Sequence, residues 1–148
     1  MSDDAPTNER SPSAPTNEAM RDVLTRTPYI AGLGIVVERW DAAGVRLRLP
    51  FDERLTNDGV VYHGGVVASL VDTSGAAAVF AGHDFAKGAR AATVSMTVNY
   101  TGAARGADLV ADAVCVRRGR DLSFAEIHVH DPDGRLVASA TLVYRIVP

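Results

Sequence analysis

The groups best suited to chemistry on a carbonyl lie in one stretch, His63 to Phe80. Asp72 sits in the middle of a largely apolar run, with Val66 to Val71 before it and Gly75 to Phe80 after it. A carboxylate in such surroundings is costly unless it is paired or used. A buried carboxylate of this kind is poised to act as a base. The run opens with His63-Gly64-Gly65, where a helix is more commonly capped by Ser, Thr, Asp or Asn. A helix start offers free N–H groups and the positive end of its dipole. Those groups can stabilise an oxyanion, and glycine lets a substrate approach the backbone closely. Polarised carbonyl and activated water together are the requirements of hydrolysis. The plainer readings are a tight loop-to-helix turn at Gly64 and Gly65, and a structural Asp72 bonded to backbone, Thr73 or Ser74.

Spacing adds a constraint. Read as one helix, the stretch separates His63 and Asp72 by nine residues, about 13 Å along the axis and half a turn around it. The two cannot act on one carbonyl within a single chain. If both are catalytic, a second copy must complete the site, through antiparallel central helices related by a two-fold axis. Each dimer then carries two equivalent composite sites.

Other reactive groups carry less. Arg117, Arg118 and Arg120 flank Gly119 at a strand end. Such a cluster suits phosphate, and equally a solvated hairpin paired with Asp121. Arg90 is a weaker candidate of the same kind. His128 and His130 share one strand face, but no carboxylate or cysteine stands at ligand spacing to them, so no metal site is expected. Cys115, the single cysteine, alternates with apolar neighbours and reads as inert. Ser69 and Ser74 lack a nucleophile elbow.

The elements that must position these groups follow from the patterning. Residues 1–19 are rich in Ser, Pro, Asn, Asp and Glu and repeat Ala-Pro-Thr-Asn-Glu at 5–9 and 14–18. They read as a disordered tail before a single domain over 20–148. Met20 to Thr27 reads as a short helix stopped by Pro28. Gly34–Trp40 and Val45–Leu49 read as a hairpin, and 51–62 as a loop into the long helix. Four strands follow: Ala91–Thr101, Ala107–Arg117, Leu122–His130 and Arg135–Val147. In the first, alternation puts Val94, Met96, Val98 and Tyr100 on one face and Thr93, Ser95, Thr97 and Asn99 on the other. One long apolar helix and a run of hairpins make an α+β domain whose antiparallel sheet must wrap the helix, the hotdog architecture. A net charge of −3 argues against general nucleic-acid binding. With neither a signal peptide nor a good membrane span in view, a cytoplasmic protein is the default expectation.

The ordered set Asn57, His63-Gly64-Gly65, Asp72, Val98-Asn99-Tyr100, Arg117-Arg118-Gly119-Arg120 and Asp133-Gly134-Arg135-Leu136-Val137-Ala138 resembles the hotdog-fold acyl-CoA thioesterases of the phenylacetate-degradation (PaaI-like) type. The resemblance spans roughly Met20 to Val147. It implies that Gly64 polarises the thioester carbonyl through its N–H and that Asp72 is general base or nucleophile. By the same resemblance Asn57 and His63 shape the oxyanion and water site, and Thr93 helps orient the water. Gly65 and the 117–120 cluster are then candidates for holding the CoA portion. One departure is Val60 where the family's loop glycine usually stands, with Gly59 one residue earlier. The implied substrate is an acyl- or aryl-CoA, with no cofactor beyond it. The implied assembly is a homodimer, and a dimer of dimers is common in such folds. Rival expectations are a hotdog hydratase or dehydratase and a non-catalytic acyl-CoA-binding module.

Overall fold

The apolar run does form one helix, and a sheet does wrap it. A computed structural model describes residues 14–148. In chain order the elements are α1 (Asn17–Arg26), α2 (Pro28–Leu33), β1 (Val36–Asp41), β2 (Gly44–Leu49), α3 (Gly64–Ala81), β3 (Arg90–Tyr100), β4 (Leu109–Arg118), β5 (Leu122–His130) and β6 (Leu136–Val147). The six strands form one antiparallel sheet in the order β1-β2-β4-β5-β6-β3. This is the expected α+β hotdog arrangement. By length and composition α3 could cross a membrane, but 67% of it is buried under the sheet, as the core helix.

Burial alternates along the strands as a one-sided sheet requires. Leu47, Leu109, Ile127, Val129 and Leu142 face α3 and are essentially inaccessible. Gly75 explains itself through this packing. A Cβ there would stand 3.0 Å from Leu142 Cδ1 and 3.2 Å from Ile127 Cδ1. The helix therefore accepts the roughly 1 kcal/mol cost of an internal glycine to lie close on β5 and β6.

The N-terminal boundary differs from the sequence reading. Helix α1 begins at Asn17, with the Thr16 side chain accepting from Ala19 N at 3.1 Å. The second copy of the repeat is thus a helix start rather than tail. Residues 1–13 of the expected tail lie outside the described residues. A second helix, α2, follows where the sequence pattern marks only a stop at Pro28. Pro28 occupies its first turn, where the missing N–H costs nothing.

Strand β3 lies at one edge of the sheet, and its alternation is broken once. Thr93 pairs with Tyr144 and Ser95 with Val143, so Val94 is an extra residue in a β-bulge. The bulge corrects the face assignment. Thr93 turns to the inner face with Met96, Val98 and Tyr100, and Val94, 56% exposed, leaves it.

Candidate active site

At the start of α3, three of the first four N–H groups are already engaged. Val66 N and Val67 N donate to the His63 carbonyl, and Gly65 N donates to His63 Nδ1 at 2.9 Å. The Gly64 N–H has no acceptor among the described residues. His63 is therefore the cap of the helix, through a ring whose Nδ1 carries no proton. Gly65 is glycine because the ring folds over it; a Cβ there would meet Nδ1 at 2.9 Å. Of the two mouth glycines, only Gly64 offers a donor to a ligand. The amide of Gly65, a candidate for holding the CoA portion, is already taken up by the His63 ring.

Tyr100 covers this mouth. Its hydroxyl donates to the Gly64 carbonyl at 3.0 Å, and its ring lies 3.6 Å from where a Gly64 Cβ would be. In the sequence Tyr100 carries no assigned role beyond the Val98-Asn99-Tyr100 motif and its strand face. Its inner-face position on β3 was the available signal.

Two turns along α3, Asp72 is half-buried rather than fully enclosed, which corrects the expectation of a buried carboxylate. Thr93 Oγ1 donates to Asp72 Oδ1 at 2.7 Å. No backbone group, Thr73 or Ser74 bonds this carboxylate among the described residues. Thr73 Oγ1 donates to Ser69 O at 2.7 Å, and Ser74 Oγ is buried without a partner. The bonds to backbone, Thr73 or Ser74 expected of a structural Asp72 are thus absent among the described residues, Thr93 stands in their place, and Oδ2 has no partner there. Within one chain, Gly64 and Asp72 are eight residues apart on one continuous helix, about 12 Å along its axis.

Asn57 lies on the exposed loop leading into α3. Its backbone N donates to Val61 O at 2.8 Å, and its amide side chain has no partner among the described residues. Asp58 Oδ1 shapes this loop by accepting from Val60 N and Val61 N at 3.0 and 2.7 Å. These two backbone donors hold the Asp58 carboxyl below the usual range. Gly59 takes the left-handed turn at φ 89°, and Thr56 Oγ1 accepts its N–H at 2.7 Å. The positive φ is thus supplied one residue before the position at which the family places its loop glycine.

The arginine cluster separates into two roles. Arg118 Nη1 donates to Val79 O at 2.6 Å and Nη2 to Ala78 O at 3.2 Å. Arg118 is thereby a cap on the C-terminus of α3, its charge at the negative end of the dipole. It is not a free phosphate ligand, contrary to the expectation. Arg117, Gly119 and Arg120, with Leu122 and Phe124, line a surface cavity of about 560 Å³ at the β4–β5 hairpin. His128 and His130 lie on the outer face of the sheet, His130 Nε2 3.7 Å from Asp112.

Residues 59–138, which hold the free glycine amide, the Asp72–Thr93 bond and the arginine hairpin, match the thioesterase superfamily. The chain belongs to that superfamily. It is 41% identical over 114 residues to a putative esterase of Halobacterium salinarum, covering 75% of each chain. It is 26% identical over 133 residues to the medium/long-chain acyl-CoA thioesterase YigI of Salmonella typhimurium, covering 80% of this chain and 85% of that one. Among solved structures, a thioesterase family protein from Silicibacter pomeroyi superposes with a TM-score of 0.77 at 30% identity, over 86% of this chain and 94% of the other. The PaaI protein of the Escherichia coli phenylacetic acid degradation operon shares the fold, with a TM-score of 0.78 at 19% identity over 88% and 92% of the two chains. The chain is thus a thioester hydrolase with the hotdog fold, a fold it shares with PaaI.

Proposed function

We propose that this thioesterase hydrolyses acyl-CoA thioesters at a site shared between two copies of the chain. The observation that carries the reading is the division of labour along α3. A free Gly64 N–H stands at one end, and a Thr93-anchored carboxylate stands about 12 Å away. Strand β3 runs beside α3 with Tyr100 against Gly64 and Thr93 against Asp72. Its other edge has no strand beside it among the described residues, the kind of edge that pairs with another strand. Antiparallel pairing of two β3 edges about a two-fold axis at Thr97 sets Met96 opposite Val98 of the partner on the same inner face, and across the Val94 bulge it brings Thr93 beside Tyr100 of the partner. Asp72 then lies beside the partner's Gly64. Two such sites form per dimer.

In the reaction, Asp72 Oδ2 takes a proton from water as the water oxygen bonds to the thioester carbon. The carbonyl oxygen gathers negative charge against the Gly64 N–H and the positive end of α3. Collapse of the tetrahedral intermediate breaks the C–S bond. The thiolate leaves and takes up the proton, giving free acid and CoA. Thr93 fixes the carboxylate, His63 holds the helix mouth, and Asn57 stands on the loop leading into it with its side-chain amide unpartnered among the described residues. No resident cofactor enters these steps, since the CoA belongs to the substrate. The name of the Salmonella relative supports CoA as carrier. So do Arg117 and Arg120 beside Phe124, a pairing of guanidinium groups and apolar surface suited to phosphate and adenine.

Thiol release from a panel of aryl-, short- and long-chain acyl-CoAs tests the reading. Turnover is expected in the wild type, with a loss of at least about 100-fold in Asp72→Asn. Undiminished hydrolysis in that variant contradicts the assigned base, and a monomer by light scattering contradicts the shared site.

A further inference from the structure

The four tyrosines of the chain are not equivalent. Tyr29 shares a hydrogen bond with Ser69 at 2.7 Å, Tyr62 donates to Pro50 O at 3.1 Å, and Tyr100 donates to Gly64 O at 3.0 Å. Tyr144 is 8% exposed, yet its hydroxyl has no partner among the described residues. It is also absent from the sealed, unsatisfied polar atoms, which are Trp40 Nε1 and Ser74 Oγ. A tyrosine buried to this degree normally satisfies its hydroxyl. This one keeps an opening through which an outside group can do so.

Its position is fixed from two sides. Tyr144 is the cross-strand partner of Thr93, so the two side chains leave the sheet on the same inner face, with Cβ atoms about 5 Å apart. Its ring meets the Phe80 ring edge-on, at 5.4 Å between centroids and 80° between planes. Phe80 lies on α3 eight residues beyond Asp72. The phenol is thereby held between strand and helix, next to the residue that grips Asp72. Burial of the ring, and after it the charge of Asp72, push the Tyr144 hydroxyl up to about 12. It remains a donor throughout the neutral range.

We infer that Tyr144 is a positioning residue that holds the attacking water, donating its O–H to the water oxygen while the water donates to Asp72 Oδ2. One lone pair of the water is engaged by the phenol and the other faces the thioester carbon. The inference rests on the assignment of Asp72 as base. It explains why Asp72 keeps one oxygen free when Thr93 engages the other.

Tyr144→Phe removes only the hydroxyl and keeps the ring on Phe80. The expected result is a fall in kcat of about tenfold, the scale of one lost hydrogen bond, with KM and Tm unchanged. In an Asp72→Asn background the same substitution should lower kcat no further, because the water is then no longer activated. A role confined to packing would instead lower Tm and spare kcat. The inference is overturned if kcat is unchanged in Tyr144→Phe, if only KM rises, or if the loss is equally large in the Asp72→Asn background. If Asp72→Asn alone retains full turnover, the assigned base fails and the inference falls with it. Loss in Asp72→Asn without loss in Tyr144→Phe removes this inference only.

Discussion

Thr93 Oγ1 donates to Asp72 Oδ1 at 2.7 Å only because Val94 is bulged out of β3. With Val94 in a regular paired place instead, the period of two would turn Thr93 to the outer face, away from the helix. The bulge re-aims one hydroxyl at one carboxylate.

Thr93→Val keeps the shape of the side chain and removes the donor. We expect kcat to fall about tenfold with little change in Tm. Full activity in Thr93→Val would show that the bond does not orient the base.

The same device accounts for what was and was not legible in the sequence. The long helix was legible because its apolar residues lie on every side, which only a wrapped helix tolerates. The strands were legible from alternation and turn residues. Two register shifts were not. One turns Thr93 inward. The other, between Cys115 and Arg117, changes the parity of β4 so that Arg118 faces the end of α3 and Arg117 faces outward opposite Phe124. A bulge leaves no mark in local composition, so charge clustering alone merged Arg117, Arg118 and Arg120 into one group. The free amide at Gly64 was legible only as a possibility. Which of the two glycines keeps its N–H depends on the His63 ring folding back, a rotamer choice. Helix α2 is only six residues long, too short for periodicity to show.

The arginines give a separable prediction. Arg118→Ala should lower Tm by several degrees, since it strips two carbonyls at the helix end of their donor, a change of about 1–2 kcal/mol. KM for acyl-CoA should stay constant in the folded fraction. Arg117→Ala and Arg120→Ala should leave Tm unchanged and raise KM for acyl-CoA, but not for the matching acyl-pantetheine. The reverse pattern would exchange the two roles.

Ser74 offers a stability test independent of catalysis. Its hydroxyl is fully buried on α3 with no partner among the described residues. Ser74→Ala removes an unsatisfied polar group and favours the helix, so a gain of about 1 kcal/mol is expected by denaturant titration. A loss of stability would mean that the hydroxyl is satisfied in solution.

The shared site is tested most directly by mixing two inactive subunits. Gly64→Pro removes the one free N–H at a first-turn position where proline is compatible with a helix. His63, at φ −61° and ψ 135°, already has the extended backbone favoured before proline. This variant and Asp72→Ala should each be folded, dimeric and nearly inactive. When the two are unfolded together at equal concentration and refolded, about half the dimers are mixed, and each mixed dimer has one of its two sites intact. Recovery of about a quarter of wild-type activity is the result the shared site predicts. Mixed dimers that form but remain as inactive as their parents would contradict it.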